Sequence, residues 1–192
     1  QSAGLPPVPG EADGLEVQVG YEPADAVQGV GGDWYDVLPL PGGRTYLAVG
    51  DVVGHGLPAV EDMAQLRSAA RALAIQGLAP QRILTELNSF TRLASRGRFA
   101  TMAVAVFDSG TGSLVYSAAG HPPSLLRRNA TGAVLRLSGS SGPALGPSLG
   151  AAYTEGVEHL EPGDIVVLYT DGLVERRGRD FDTGLAEVER IV

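Results

Sequence analysis

Three aspartates, each beside a glycine at the end of a strand-like segment, are the residues of this sequence best suited to chemistry. They are Asp33 in "GGDW", Asp51 in "VGDVVGHG" and Asp171 in "YTDGL". Strand ends hold side chains rigidly, and a neighbouring glycine lets backbone or ligand approach closely. Carboxylates are hard oxygen donors that suit Mg²⁺ or Mn²⁺. The three are therefore candidate ligands of a divalent-metal site.

Each of these aspartates also has a simpler interpretation as a turn residue. An aspartate beside a glycine is common in turns, because its side chain hydrogen-bonds the local backbone. The three lie far apart in the chain, so their spacing does not decide between the two interpretations. Asp164, in the turn "EPGD", needs only the turn role.

The three histidines differ in what their surroundings suggest. His55 in "GHG" is either a proton donor near the site or a loop residue that precedes a helix. His121 in "AAGHPP" lies between two strands, which favours a loop histidine with satisfied hydrogen bonds. His159 ends a strand and receives no role. The sequence has no "GxSxG" nucleophile pattern and no phosphate-binding "GxxxxGK" pattern.

Composition narrows the class of protein. The net charge of −8 and a pI of about 4.8 argue against nucleic-acid partners and anionic membranes. The absence of cysteine excludes zinc–thiolate sites, disulfides and cysteine nucleophiles. No apolar run approaches the roughly 18 residues that span a bilayer. The start, "QSAGLPPVPGEADG", lacks the basic and apolar parts of a signal peptide. We therefore expect a cytoplasmic protein with no membrane insertion.

The elements that must position these residues follow from hydrophobic period and turn signals. "DWYDVLPL" and "RTYLAVGDV" flank "PGG" and predict a hairpin. Apolar residues then recur every three or four positions, which predicts a helix from Leu57 to about Ile75 and a second from Pro80 to about Ser95. From Phe99 a series of hairpins follows, and "DTGLAEVERIV" predicts a final helix capped by Asp182 or Thr183.

This order of elements differs from the strict β-α-β alternation of a doubly wound parallel sheet. It favours an antiparallel sheet system, folded into a sandwich, with helices outside. The Pro/Gly-rich residues 1–13 predict a linker, and residues 14–192 predict one domain.

Five segments in a fixed order carry a family resemblance. They are "VGGDWYD", "GDVVGHGLPA", "ATMAVAVFDSGTGSLVYSAAGHPPSLL", "PALG" and "GDIVVLYTDGLVE". The series resembles the SpoIIE/RsbU-type branch of the PPM metal-dependent serine/threonine protein phosphatases, over about residues 15 to 187. The resemblance implies an α+β fold, a four-layer α-β-β-α sandwich of two antiparallel sheets flanked by helices.

The resemblance also implies two Mn²⁺ or Mg²⁺ ions in a cleft at one end of the sandwich. It makes Asp33 and Asp51 ligands, with Asp51 bridging and the backbone carbonyl of Val52 joining them. Asp171 would hold the second ion, and Asp36 is a weaker candidate. A metal-activated water would then attack phosphorus. Eukaryotic relatives carry a histidine two residues after the bridging aspartate; His55 comes four after Asp51, so that role does not transfer, although His55 remains a candidate proton donor.

The implied function is dephosphorylation of phosphoserine or phosphothreonine on a STAS-type anti-anti-sigma protein, by a domain fused to sensor domains. Family members usually add a strand with an Asp-Asp pair that supplies another ligand. The residues up to Val192 contain no such pair, so we expect either a truncated sequence or a lost ligand and closing strand. Two alternatives stay open: a partner-binding module that has lost catalysis, and an unrelated divalent-metal hydrolase of small phosphoesters.

Overall fold

The computed structural model describes residues 11–12, 14–20, 32–94, 97–174 and 180–192. Within these ranges the α-helices are α1 (Leu57–Ile75), α2 (Pro80–Ala94) and α3 (Phe181–Ile191). The strands are β1 (Glu11–Ala12), β2 (Leu15–Glu16), β3 (Trp34–Leu40), β4 (Arg44–Val52), β5 (Ala100–Asp108), β6 (Ser113–Ala119), β7 (Ser124–Arg127), β8 (Val134–Leu137), β9 (Ser141–Gly142), β10 (Gly156–His159) and β11 (Ile165–Val167).

The predicted hairpin around "PGG" is confirmed as β3 and β4. The two strands pair antiparallel, with Trp34 opposite Gly50 and Leu40 opposite Arg44. The Trp34 ring lies across Gly50, where an added Cβ would come within 2.3 Å of the ring. Glycine is therefore the residue that lets the indole pack flat at the end of the hairpin that carries the candidate site.

A large sheet forms the centre of the molecule. Its strands run in the order β10-β6-β5-β4-β3, and neighbours in this order are antiparallel. The short strand β9 pairs with β6 in parallel, which is a local exception to the predicted antiparallel arrangement. Strands β4 and β5 are interior to the sheet, so Asp51 at the end of β4 stands on a well-supported strand.

A smaller sheet has the antiparallel order β11-β7-β8. The turn "EPGD" does not close a hairpin, because β10 before it pairs with β6 and β11 after it pairs with β7. The turn instead carries the chain from one sheet to the other. Asp164 accepts hydrogen bonds from the backbone N–H groups of Asn129 and Glu161 and from Arg128, so its role in the turn is structural, as predicted.

The predicted four layers are confirmed by the alternation of side chains along the strands. In β5, Met102 and Val104 pack in the core beneath α1 and α2, whereas Phe107 belongs to the core between the sheets. In β7, Leu126 faces that same inner core and Leu125 packs in the cluster with α3. The order is α1 and α2, the large sheet, the small sheet, then α3.

The predicted cap of the last helix, Asp182 or Thr183, was wrong by two or three residues. Asp180 is the N-cap of α3, and its carboxylate accepts hydrogen bonds from the backbone N–H and the hydroxyl of Thr183. Asp182 lies in the first turn. The segment "DFDTG" offers several side chains that can cap, and the backbone of residue 180, which is extended, decides between them.

The predicted linker, residues 1–13, lies outside the described residues except for Glu11–Ala12, which form β1 and pair with β2. None of the helices in the described part of the chain is both long and apolar enough to cross a membrane.

An ion pair joins α1 to the large sheet. Both oxygens of Asp36 in β3 accept hydrogen bonds from the guanidinium of Arg71 in α1, each at 2.6 Å. The Asp36 side chain is fully buried, and an isolated buried carboxylate would be costly. Asp36, the weaker metal-ligand candidate of the sequence analysis, thus forms a structural ion pair with Arg71.

Removing one member of this pair tests its role. Arg71→Ala should lower the free energy of unfolding by about 3 kcal/mol, because it strands the buried carboxylate of Asp36. Urea denaturation is the measurement. Arg82→Ala is the matched control: it breaks the exposed pair of Arg82 with Glu86 within α2 and should cost no more than about 0.5 kcal/mol. Equal losses in the two variants would contradict the prediction.

Candidate metal centre

The three aspartates from distant parts of the chain meet at one end of the sandwich. Asp33, Asp51 and Asp171 each place one carboxylate oxygen so that all three oxygens lie within 4.8 Å of one another. Asp33 and Asp51 are half-buried and Asp171 is exposed. Their meeting agrees with the sequence analysis, whereas metal binding by them stays a prediction.

Two of these aspartates are held by the hairpin. Asp51 is the penultimate residue of β4, and Asp33 directly precedes Trp34, the first residue of β3. Because Trp34 is opposite Gly50 in the register, the residues next to this pair, Asp33 and Asp51, face each other at the open end of the hairpin. Local pairing alone therefore brings the first two carboxylates together.

Gly32 is required for this approach. Its carbonyl accepts a hydrogen bond from the backbone N–H of Val52 at 3.2 Å. A Cβ on Gly32 would lie 2.2 Å from the Val52 carbonyl oxygen and 2.9 Å from an oxygen of Asp51, closer than real Cβ contacts allow. These two oxygens therefore lie on the same side of Gly32, which places the Val52 carbonyl beside the aspartates. In the sequence, the two glycines before Asp33 are the feature that indicates such a close backbone approach.

The third carboxylate comes from the small-sheet side. Asp171 begins a short 3₁₀ helix, Asp171–Leu173, that follows β11. The hydroxyl of the preceding residue, Thr170, donates a hydrogen bond to Asp33 at 3.3 Å. This bond links the segment that carries Asp171 to the hairpin. The sequence analysis did not identify Thr170, although it directly precedes the aspartate of "YTDG".

The electrostatics of the cluster are unfavourable without a counter-charge. Burial, followed by the charges of Asp51 and Asp171, raises the pKa of Asp33 to about 6. Burial and the charge of Asp171 also raise the pKa of Asp51. Partly buried carboxyl groups that lie close together resist ionisation, because each negative charge disfavours the next. A divalent cation would remove this penalty, and three carboxylates with a backbone carbonyl are the hard oxygen donors that Mg²⁺ and Mn²⁺ take. The residues present therefore fit such an ion.

The two candidate histidines are placed differently. His55 is exposed in the loop between β4 and α1, outside the group of three carboxylates, so its role as proton donor stays a prediction. His121 is buried and hydrogen-bonded on both ring nitrogens. It is the satisfied histidine that the sequence favoured, but its partners lie next to the site, which the sequence did not indicate.

A family model and curated relatives match the sequence of this chain. The sequence model of the Stage II sporulation protein E (SpoIIE) family matches residues 41–192. Phosphoserine phosphatase RsbU of Bacillus subtilis is 31% identical over 132 residues, which cover 68% of this chain and 39% of that protein. Protein IcfG of Synechocystis is 29% identical over 84% of this chain and 29% of that protein. The chain thus spans well under half the length of these curated relatives.

Solved structures share the fold. The structure of the RsbU and RsbW domains of Rv1364c from Mycobacterium tuberculosis superposes with a TM-score of 0.79 and 36% identity, covering 88% of this chain and 47% of that one. The PP2C phosphatase domain of SpoIIE from Bacillus subtilis gives a TM-score of 0.67 at 21% identity, over 83% of this chain and 45% of that one. The latter likeness supports the fold alone.

The raised pKa of Asp33 predicts a pH-dependent stability of the metal-free protein. The ordinary value is 3.8 and the folded value is about 6, so ionisation between these values favours the unfolded chain. Asp33→Asn should leave stability nearly unchanged at pH 4. At pH 7.5 it should stabilise the protein by about 1–2 kcal/mol, a figure reduced for solvent screening at this partly exposed group. Urea denaturation in EDTA at the two pH values measures the difference.

Asp164→Asn is a control in which the expected change in stability has the opposite sign. The backbone N–H of Asn129 is the main cause that lowers the pKa of Asp164, so this variant should destabilise the protein at pH 7.5 and do so less as the pH falls through the lowered pKa. If Asp33→Asn destabilised the metal-free protein at pH 7.5, the electrostatic account of the cluster would be wrong.

Proposed function

Because this chain belongs to the SpoIIE family, we propose that it is a metal-dependent protein serine/threonine phosphatase. The observation that carries the proposal is the meeting of Asp33, Asp51 and Asp171 within 4.8 Å at one end of the sandwich. Structural carboxylates elsewhere in the described chain, such as Asp36 and Asp164, meet an arginine. The three at this end meet one another, an arrangement that favours a bound cation.

The proposed metal ligands are the carboxylates of Asp33, Asp51 and Asp171 and the backbone carbonyl of Val52, and the proposed cofactor is a pair of Mn²⁺ or Mg²⁺ ions. When bound, such a pair supplies a hydroxide nucleophile at neutral pH and neutralises charge on the phosphoryl oxygens. The chain contains no cysteine, so the proposed reaction uses no thiolate and no cysteinyl-phosphate.

The protein's own residues position the reacting groups. The paired end of β4 holds Asp51 and Val52, and the hydroxyl of Thr170 orients the carboxylate of Asp33 by a hydrogen bond. Asp171 is exposed, so a phosphoryl group carried on another molecule can reach the cluster from that side. His55, in the exposed loop after β4, is the candidate donor of a proton to the leaving oxygen.

The proposed substrate is phosphoserine or phosphothreonine on a protein. Support comes from the relative in Bacillus subtilis, which is named a phosphoserine phosphatase, and from the exposed position of Asp171, which suits a phosphate carried on a protein surface. Within that class we propose an anti-anti-sigma protein of STAS type. We also propose that the domain works in the cytoplasm beside sensor domains, in line with the greater length of its relatives.

A partner-binding role without catalysis is the second candidate. The described residues bring three carboxylates together, and a cation held by such a cluster can bind a phosphoryl group without hydrolysing it. A domain of this kind would recognise its phosphoprotein partner and release it unchanged.

Substitution of the bridging candidate separates these functions. Asp51→Asn should lower Mn²⁺-dependent phosphate release by about 100-fold or more, since it removes one of the three charged ligands proposed for the metal. Release from p-nitrophenyl phosphate and from a phosphoserine-bearing STAS protein is measured, with calorimetric titration of Mn²⁺ alongside. Asp108→Asn is the matched control: this aspartate also sits beside a glycine-containing turn and accepts hydrogen bonds from Gly110 and Thr111.

The outcomes are distinct. Turnover by the unaltered protein that Asp51→Asn abolishes and Asp108→Asn leaves intact supports the phosphatase. No turnover with Mn²⁺, together with binding of the phosphoprotein, favours the partner-binding module. Turnover of the aryl phosphate with none of the phosphoprotein favours a hydrolase of small phosphoesters.

A further inference from the structure

We propose that His121 is a positioning residue that holds the segment bearing Asp171 against the large sheet, so that this aspartate reaches Asp33 and Asp51. The inference rests on the proposed function, because it assigns a part in building the metal centre of that function. His121 itself is not placed among the metal ligands, and it acts through the backbone of Tyr169.

The ring of His121 bridges the two sheets with a hydrogen bond at each nitrogen. Nδ1 lies 2.8 Å from the hydroxyl oxygen of Thr101, and Nε2 lies 2.9 Å from the carbonyl oxygen of Tyr169. A carbonyl can only accept, so Nε2 carries the proton and donates it to Tyr169. The neutral ring then accepts at Nδ1 from the Thr101 hydroxyl. Both polar atoms are satisfied in a side chain that is 8% exposed.

One end of this bridge is attached to the strand next to Asp51. Thr101 in β5 is the residue opposite Asp51 of β4 in the antiparallel register, so the two side chains project from the same face of the large sheet. That face is the inner one, because their neighbours Val49 and Ala103 pack together in the core beneath the small sheet. The hydrogen bond to Thr101 therefore attaches the His121 ring to the strand pair β4–β5, which carries Asp51.

The other end is attached two residues before Asp171. Strand β11 ends at Val167, and residues 168–170 have no regular secondary structure. Across this stretch, His121 binds the carbonyl of Tyr169 and Thr170 donates to Asp33. The Tyr169 side chain is buried on the opposite side, in the cluster with Leu185 and Val188 of α3. The segment is thus held from both sides just before the aspartate.

The need for such a bridge follows from the layout of the site. Asp33 and Asp51 belong to the large sheet, whereas Asp171 follows a strand of the small sheet, and no strand pairing joins β11 to the large sheet in the described chain. The spacing of the carboxylates therefore depends on side-chain contacts between the layers. Partners that orient metal ligands through hydrogen bonds contribute strongly to metal affinity.

Mn²⁺ affinity is the measurement that separates positioning from general packing. His121→Ala should weaken Mn²⁺ binding by about 10-fold or more in a titration followed by electron paramagnetic resonance or calorimetry. His121→Gln, whose amide can still donate toward the Tyr169 carbonyl, should recover part of this affinity. Thr101→Val, which keeps the shape but removes the hydroxyl, should lose a smaller factor. Titrations are run at a temperature at which every variant is folded by circular dichroism.

Leu114→Ala is the matched structural control. Leu114 lies at the beginning of β6 and is fully buried between the sheets. His121 follows the other end of the same strand. Truncation of Leu114 should destabilise the fold by the cost of a core cavity but leave the Mn²⁺ dissociation constant unchanged. A loss of Mn²⁺ affinity in the His121 variants that exceeds the loss in Leu114→Ala supports positioning.

The inference and the proposed function fail in different ways. If the unaltered protein binds no Mn²⁺, the proposed metal centre is wrong and the inference falls with it. If the unaltered protein binds Mn²⁺ and His121→Ala binds it equally tightly, the positioning role is overturned while the phosphatase proposal stands. Should His121→Ala not fold, unchanged Mn²⁺ affinity in both His121→Gln and Thr101→Val overturns it, and a loss in either supports it.

Discussion

Repulsion among three carboxylates is the constraint around which this end of the molecule is organised. Burial, together with the close approach of their oxygens within 4.8 Å of one another, opposes ionisation and raises the pKa of Asp33 and of Asp51. The surrounding elements must therefore be rigid enough to keep the cluster assembled in the absence of a cation. Two half-buried side chains and a tightly packed backbone provide that rigidity, and the free energy stored there favours binding of a divalent ion.

The rigidity comes from three kinds of contact. Strand pairing aligns Asp33 with Asp51, and the close approach of Gly32 to Val52 brings a carbonyl oxygen beside them. The third carboxylate depends on packing between layers, in which hydrogen bonds from Thr170 and His121 hold the segment before Asp171. The first two kinds are local to the hairpin. The third joins the two sheets and so makes the site a property of the whole sandwich.

The other acidic residues show by contrast what a structural carboxylate looks like in this protein. Asp36 and Asp164 are buried or turn residues that accept hydrogen bonds from arginine or backbone N–H groups, and Glu189 of α3 pairs with Arg136 of β8. Hydrogen bonds lower the pKa of Asp164 and of Glu189. Burial and neighbouring negative charges instead raise the pKa of Asp33 and of Asp51. The direction of the shift thus separates these two aspartates from the hydrogen-bonded carboxylates of Asp164 and Glu189.

Local order in this protein could be predicted from sequence because it depends on neighbours in the chain. The hairpin around "PGG" and the limits of α1 follow from turn residues and apolar period, and the facing of Asp33 and Asp51 follows from the hairpin. Even here the cap of α3 needed the backbone conformation of Asp180, since neighbouring side chains can also cap. The family resemblance added the four-layer order and favoured metal ligands over turn residues as the role of the three aspartates.

The tertiary structure alone decided which sheet each strand joins and which polar groups meet. The turn "EPGD" carries the chain between sheets, and Asp36 finds Arg71 thirty-five positions away. Thr170 meets Asp33 across 137 positions, and His121 reaches one partner in each layer. A periodic pattern shows that a residue faces inward, but it carries no information about what stands opposite. That depends on how the sheets pack, which is settled by the fit of the whole core.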